Sequence, residues 1–156
     1  MKIALNWLKN YINITQSPEE LSELLTNTGL EVEGMDEIET IPGGLKGLVI
    51  GEVKTCEKHP NADKLSVTTV DIGEDNPVQI VCGAPNVAAG QKVIVATVNS
   101  TLYPSAGEPF KIKKSKIRGE VSLGMICAAD EIGMGTSHEG IMVLDTDKAN
   151  GTAAAE

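Results

Sequence analysis

A dense group of positive charges lies in the last third of the chain. Five basic residues fall within eight positions, with no carboxylate among them: Lys111, Lys113, Lys114, Lys116 and Arg118. The whole chain is acidic, with a formal net charge of -9. A local excess of cations in an acidic protein indicates a surface that docks an anion. The alternation over residues 110–113 is equally typical of an edge strand protected by lysines.

Small and flexible residues follow this basic segment. Gly119 allows the backbone to approach a partner closely, and Ser122 and Met125 add a short hydroxyl and a flexible side chain. Cations, hydroxyls and backbone amides are the groups that position nucleic-acid backbones. These neighbours favour anion binding over a purely protective strand.

A second distinctive motif, His-Pro-Asn-Ala-Asp-Lys-Leu, spans residues 59–65. Pro60 restricts one backbone dihedral, and the Asn and Asp side chains can bond their own backbone, so the motif predicts a tight turn. Lys58 and Lys64 would project from that turn. Taken alone, the motif is more typical of a hairpin connection than of a binding site, and His59 is more typical of a turn residue than of a ligand.

The sequence contains no motif for catalysis. There is no Gly-rich phosphate loop, nucleophile elbow or His-Glu-x-x-His. Asp130 and Glu131 fit a capping pair better than an acid–base pair. The three cysteines are widely spaced without a Cys-x-x-Cys, which favours reduced thiols over a disulfide or a zinc site. We therefore predict neither a catalytic residue nor a metal site.

A helix is predicted over residues 17–28. Ser17 can cap it, a proline follows at its first position, and Glu20 completes a capping box. Leucines then form one apolar stripe, and Gly29 fits a left-handed stop. The residues before this helix predict a short strand leading into a helical turn, and residues 30–33 alternate like a strand.

The negative charge is concentrated in this N-terminal part. Residues 1–39 carry two basic and eight acidic side chains, a net charge of -6, whereas residues 40–150 carry eleven and thirteen, a net charge of -2. A Pro-Gly-Gly linker over residues 41–44 separates the two parts. We therefore predict an α+β appendage over residues 1–39 and a separate domain over residues 40–150.

The second part is predicted to be all β. Its strand-like runs are Leu48–Cys56, Leu65–Ile72, Val78–Cys82, Lys92–Val98 and Gly124–Cys127, with a further short run at Ile141–Leu144. About five short strands separated by Gly, Pro and Asn turns predict a small closed or partly closed barrel. In the second run the apolar residues change phase, which a bulge near Thr68 and Thr69 would reconcile.

The chain lacks the features of a membrane or secreted protein. No apolar run approaches the ~20 residues that cross a bilayer, and the N-terminus lacks a secretory signal. We therefore expect a soluble, cytoplasmic protein with no membrane partner.

The motifs together resemble a known family. Residues 59–65 and 116–125 are similar to the tRNA-binding domain shared by several synthetases and synthetase-associated factors, which is an oligonucleotide-binding (OB) barrel. Residues 80–87, residues 127–133 and the Met-Lys-Ile-x-Leu-x-Trp-Leu start are similar to the form found in the β subunit of bacterial phenylalanyl-tRNA synthetase. The resemblance covers essentially the whole chain.

This resemblance implies a mainly β fold, a five-stranded OB-type barrel with a small α+β N-terminal appendage. It implies an N-terminal fragment whose residues 151–156 begin the next element. The family's enzyme is an α2β2 ligase that uses ATP and magnesium to charge tRNA with phenylalanine. Its catalytic site lies outside this region, so the fragment itself would be non-catalytic, would need no cofactor, and would have tRNA and the α subunit as partners.

The residues expected to contact tRNA follow from both motifs. The five cations of the basic segment would bind phosphates. Three further lysines would extend this track of cations: Lys54, Lys58 and Lys64. The site would be completed by His59, Asn61, Gly119, Ser122 and Met125. Because the barrel is not basic overall, we expect weak, salt-sensitive binding. Two other functions stay open: a structural docking module with vestigial nucleic-acid binding, favoured by the acidity and the scarcity of aromatic residues, and a free-standing tRNA-binding protein.

Overall fold

The computed structural model describes residues 1–155, which divide into two compact units, Met1–Ile38 and the chain from Glu39 onward. The first unit contains two helices, α1 (Leu5–Leu8) and α2 (Pro18–Asn27). No helix in the described part of the chain is both long enough and apolar enough to cross a membrane.

Helix α2 has the ends that its sequence predicts. The Ser17 hydroxyl accepts a hydrogen bond from the Glu20 amide at 3.2 Å, and the Glu20 carboxylate accepts one from the Ser17 amide at 2.9 Å. At the other end Gly29 has a φ of +93° and the Leu30 amide donates to the Leu25 carbonyl at 2.9 Å. This 6→1 bond around a left-handed residue is a Schellman motif, so the predicted capping box and stop are both confirmed.

The strands expected in the first unit do not form. All residues of Met1–Ile38 are described, and none of them lies in a strand, which corrects the α+β description of the appendage. Residues 30–33 alternate like a strand, but a strand needs a neighbour to satisfy its backbone groups, and this unit supplies none.

The second unit is built from short strands. They are β1 (Leu48–Lys58), β2 (Ser66–Asp71), β3 (Val78–Cys82), β4 (Lys92–Thr97), β5 (Thr101–Leu102), β6 (Phe110–Lys111), β7 (Ser115–Ile117), β8 (Glu120–Ser122), β9 (Gly124–Ile126) and β10 (Val143–Leu144). Strands β3, β2, β1 and β4 follow one another in an antiparallel sheet, and β9 pairs with β4. The Leu123 amide, just before β9, donates to the Gln79 carbonyl of β3 at 2.9 Å. The five strands therefore nearly close on themselves, and the predicted five-stranded OB-type barrel is confirmed.

Aliphatic side chains fill the barrel. Val53, Val70, Ile80, Val93 and Val95 are completely buried in one cluster. A second cluster lies on the other face of β4 and contains Leu48, Ile94, Leu102, Ile112 and Ile132. Strand β4 is consequently buried on both faces, which explains why it reads as a continuous apolar run.

The bulge predicted on β2 is wrong. Thr68 is completely buried and its hydroxyl donates to the Ile80 carbonyl at 2.8 Å, so it shares the inward phase of Val70. A buried, hydrogen-bonded threonine acts as a core residue, and no change of phase is needed. The register shift lies on β1, where Lys54 is the extra residue.

Two further features were not foreseen. Strands β5 and β6 form one small ribbon and β7 and β8 another. The chain after residue 150, expected to begin another element, runs along β1: the Ile50 amide donates to the Thr152 carbonyl at 2.8 Å and the Ala154 amide to the Leu48 carbonyl at 2.9 Å.

Candidate nucleic-acid interface

The basic segment is distributed over the two ribbons. Lys111 ends β6, Lys113 and Lys114 lie in the connection, Lys116 lies on β7, and Arg118 lies at the tip of the turn between β7 and β8. We call residues 115–122 the basic hairpin. Its register pairs Ser115 with Ser122 and Ile117 with Glu120.

All five cations are exposed and unneutralised. Each side chain is solvent-exposed, and among residues 1–155 no carboxylate lies within 4.0 Å of any of the five. The backbone that carries them is nonetheless anchored, because Ile112 is buried, its amide donates to the Ser100 carbonyl and its carbonyl accepts from the Asn99 amide, both at 2.8 Å. Unpaired cations on an anchored backbone form a positive surface to which an anion can bind without displacing a carboxylate of the protein.

The tip of the basic hairpin has an unfavourable backbone conformation. Arg118 has a φ of +49° and Gly119 a φ of +105°. Two central residues with positive φ are the pattern of a type I′ turn, which favours Asn-Gly over Arg-Gly. Glycine accepts this conformation freely, whereas arginine rarely adopts it.

The second motif contacts the first. We call residues 59–64 the His-Pro turn. His59 Nε2 lies 3.0 Å from the Ile117 carbonyl oxygen, and Asn61 Nδ2 donates to the Arg118 carbonyl at 3.3 Å. Two motifs that are more than fifty positions apart in the sequence therefore share one surface, which also carries the exposed Lys64.

His59 and Ser122 occupy interior positions. His59 is 5% exposed, and both of its ring nitrogens lie within hydrogen-bond distance of backbone atoms. Ser122 is 2% exposed, accepts from the Val81 amide at 3.1 Å and donates to the Gly124 carbonyl at 2.9 Å. Neither side chain can reach a ligand in this arrangement, although both are among the residues that the family resemblance led us to expect in contact with tRNA.

Lys54 lies in a different electrostatic environment from the basic hairpin. Its ammonium is 3.1 Å from a Glu52 oxygen and 3.8 Å from an Asp71 oxygen. The hydrogen bond from Lys54 lowers the pKa of Glu52, and the hydrogen bond from the Gly73 amide lowers the pKa of Asp71. Lys54 is therefore already neutralised by β1 and β2, and the structure does not join it to the exposed cations.

The remaining residues predicted to contact tRNA differ in their exposure. Lys58, Asn61, Lys64 and Gly119 are exposed. Met125 is half-buried on β9 and packs against the cluster around Leu102.

Gln79 supports the interface and was missed by sequence reasoning. Its side-chain amide donates to a Glu120 oxygen at 3.0 Å and to the Val121 carbonyl at 2.9 Å. These bonds attach β8 to β3 and engage the carboxylate nearest in sequence to Arg118. In the sequence Gln79 is an ordinary polar residue inside a strand, so no signal singled it out.

The groups considered for other chemistry have structural partners. Glu131 accepts from the Ala128 amide at 2.7 Å, and Asp130 lies 3.0 Å from His138 Nδ1. Burial raises the pKa of Cys82, and it raises the pKa of Cys127 to about 12. Within residues 1–155, no group of three or more His, Cys, Asp or Glu side chains is arranged to hold a metal ion.

Comparison with known proteins places this geometry in context. Residues 48–153 match the family model described as "Putative tRNA binding domain". The whole chain is 60% identical to part of the phenylalanine–tRNA ligase beta subunit of Bacteroides fragilis, of which it covers 19%. It is 48% identical, over an alignment of 162 positions, to the same subunit of Salinibacter ruber, again covering 19%. The chain thus spans about a fifth of the length of the curated relatives it matches.

Among solved structures, a MetRS-related protein from Pyrococcus horikoshii aligns with 76% of this chain and 97% of its own, at 21% identity and a TM-score of 0.49. A similarity of this size supports no conclusion about function.

Proposed function

Because the chain belongs to this tRNA-binding domain family, we propose that it is a non-catalytic tRNA-binding module of a phenylalanine–tRNA ligase β subunit. The observation that carries the proposal is the group of five exposed, unpaired cations on and beside the basic hairpin. Phosphates are the anions that such a surface binds, and the resulting affinity is sequence-independent and salt-dependent.

The residues in this proposal divide into contacts and supports. Lys111, Lys113, Lys114, Lys116 and Arg118 contact phosphates, Lys58 and Lys64 extend the track, and Gly119 keeps the hairpin tip open to the backbone of the RNA. His59, Ser122 and Met125 act from inside the fold, and Lys54 is left out because its charge is already paired.

The wider assignment takes the ligase and its β subunit from the names of the relatives, and the rest from the family resemblance. In the complete subunit this module assists an α2β2 ligase that joins phenylalanine to its tRNA in the cytoplasm. ATP and magnesium are handled elsewhere in that complex, and the α subunit is its partner. The net charge of -9 makes this chain an auxiliary contact for tRNA, with further affinity contributed by other domains.

A triple substitution tests the tRNA contact. Lys114→Ala, Lys116→Ala and Arg118→Ala together remove three cations, so tRNA binding to the full 156-residue chain should weaken. The slope of log affinity against log salt should flatten by about 2 to 3, because each phosphate contact contributes roughly 0.7 to 0.9. Fluorescence anisotropy with labelled tRNA over a salt series measures both quantities.

The control removes the same charge elsewhere. Lys9, Lys46 and Lys148 are exposed and lie outside the basic segment, so changing all three to alanine should leave the slope nearly unchanged. Equal effects from both triple variants would show that net charge alone governs binding. An unchanged titration in the first variant would remove the proposed site.

The docking-module alternative is favoured by the net charge of -2 over residues 40–150 and by the scarcity of aromatic residues, which make up 3% of the chain. A vestigial barrel of this kind would bind no tRNA at any salt concentration. The same titration therefore decides between the two functions.

A further inference from the structure

Two side chains of the His-Pro turn form hydrogen bonds to backbone carbonyls at the tip of the basic hairpin. His59 reaches the Ile117 carbonyl oxygen at 3.0 Å, and Asn61 reaches the Arg118 carbonyl oxygen at 3.3 Å. Both are side chains acting on backbone, so they constrain the path of the chain at Arg118 and leave the guanidinium free. No other part of the molecule makes two such bonds to this tip within the described residues.

The hydrogen bonds of His59 define its tautomer. The Asn61 amide donates to Nδ1 at 3.0 Å, so Nδ1 carries no proton. The proton of the neutral ring therefore lies on Nε2 and is donated to the Ile117 carbonyl. Because the residue is only 5% exposed, its ring is held in place as a rigid spacer between the two turns.

The conformation of Arg118 indicates why these two hydrogen bonds are present. An arginine at a φ of +49° is disfavoured where asparagine or glycine would fit the turn better. An unfavourable residue at an exposed tip, beside four other cations, gains nothing from packing. The exposed guanidinium is therefore what an arginine contributes at this position.

We propose that His59 and Asn61 are positioning residues that hold Arg118 in its left-handed conformation so that its guanidinium meets one phosphate of the tRNA backbone. This inference rests on the proposed function and deepens it. His59 and Asn61 themselves make no contact with the phosphate in this arrangement; they act through the backbone of residues 117–118.

The test uses variants that remove no cation. Asn61→Ala deletes one bond to the hairpin tip, and His59→Leu deletes both ring bonds while keeping apolar bulk. Each should weaken tRNA binding and flatten the salt slope by about 0.7 to 0.9, one phosphate contact, although the charge of the protein is unchanged. His59→Gln retains a donor at the end of its side chain and should recover part of the slope.

A double-mutant cycle isolates the coupling. Arg118→Asn removes the cation but suits the turn, so Asn61→Ala should add no further loss in that background. Lys113→Ala removes a cation from the connection between the ribbons, and its effect should add to that of Asn61→Ala. Circular dichroism before each titration establishes that the variant is folded; if His59→Leu does not fold, the exposed Asn61 still decides.

The outcomes separate the two proposals. If the unaltered chain binds no tRNA at low salt, the proposed function fails and this inference fails with it. If the unaltered chain binds and Arg118→Asn flattens the slope, while Asn61→Ala and His59→Leu leave it unchanged, only the positioning role is overturned. Additive losses for Asn61→Ala and Arg118→Asn would overturn it as well.

Discussion

Side chains around the basic hairpin either face solvent or bond to other parts of the protein, and their burial distinguishes these two groups. Lys116 and Arg118 are exposed and have no carboxylate partner among the described residues. Ser122, in the same hairpin, is 2% exposed and bonds to Val81 and Gly124. A hydroxyl in a nucleic-acid-binding motif can therefore be needed for the geometry of the motif without touching the ligand.

Ser122→Ala tests that distinction. The substitution leaves the Val81 amide without its 3.1 Å acceptor, and an unsatisfied buried donor costs about 1 to 3 kcal/mol. Urea unfolding should show this loss, while the salt slope of tRNA binding stays the same. Ser115→Ala, directly opposite in the hairpin but exposed, should change the stability little. A fully stable Ser122→Ala variant with weakened tRNA binding would instead mean that the hydroxyl contacts the ligand.

Strands β1 and β2 are held together on the outside of the barrel by a charge network. Glu52 and Asp71 are directly opposite each other, so two like charges would repel unless a partner intervened. Lys54 pairs with both, and the Asn150 side chain donates to the Asp71 carboxylate at 2.8 Å. The hydrogen bond from Lys54 lowers the pKa of Glu52, whereas the pKa of Asp71 is lowered first by the Gly73 amide and then by Asn150 and Lys54. The Asn150 side chain also ties the C-terminal segment to the first two strands.

The lowered pKa values predict how stability depends on pH. A carboxyl whose pKa is lower in the folded than in the unfolded state stabilises the fold above the unfolded pKa, and that contribution is lost as the pH falls through the folded pKa. Lys54→Met should therefore reduce the free energy of unfolding at neutral pH. The difference from the unaltered chain should shrink once the pH falls below the ordinary values of 4.5 for Glu52 and 3.8 for Asp71.

Urea unfolding at a series of pH values measures this dependence. Lys46→Met is the matched control, because Lys46 is exposed and no carboxylate lies within 4.0 Å of it in the described chain. A pH-independent difference for Lys54→Met would mean that packing of the lysine stem, rather than its charge, stabilises the two strands.

The charge of the molecule is unevenly divided, and this limits how strongly it can bind an anion. Residues 1–39 hold a net charge of -6 out of -9. A net negative protein repels RNA at long range, which lowers the rate of encounter even when the contact surface is positive. Added salt screens this repulsion over a Debye length of ~10 Å at 0.1 M.

Neutralising part of the first unit should therefore raise affinity. Glu31, Glu33 and Glu37 are exposed, and changing all three to glutamine should tighten tRNA binding at low salt, with the gain fading as salt increases. Anisotropy titrations at several salt concentrations provide the measurement. The triple Glu→Asp variant retains the charge and should bind as the unaltered chain does; an equal gain in that variant would exclude an electrostatic origin.

Local patterns predicted the features that depend on neighbouring residues. The capping box of α2 and its stop at Gly29 follow from bonds within a few positions, and the main strands of the barrel follow from apolar runs between turns. The tRNA-binding family was identified from the two motifs, and the match over residues 48–153 confirms it. These features can be predicted because short-range hydrogen bonds and the alternating burial of strands constrain which residue types occur at neighbouring positions.

Only the tertiary structure decided which residues meet. The bonds from the His-Pro turn to the basic hairpin join positions 57 and 58 apart, and they exist because closing the barrel brings those turns together. Burial of His59 and Ser122 and the pairing of Lys54 depend equally on distant partners. The sequence by itself determined the elements, the family and the excess of positive charge. Which of those side chains face solvent and which support the backbone was decided by long-range packing, because burial and charge pairing depend on the distances that the folded barrel creates.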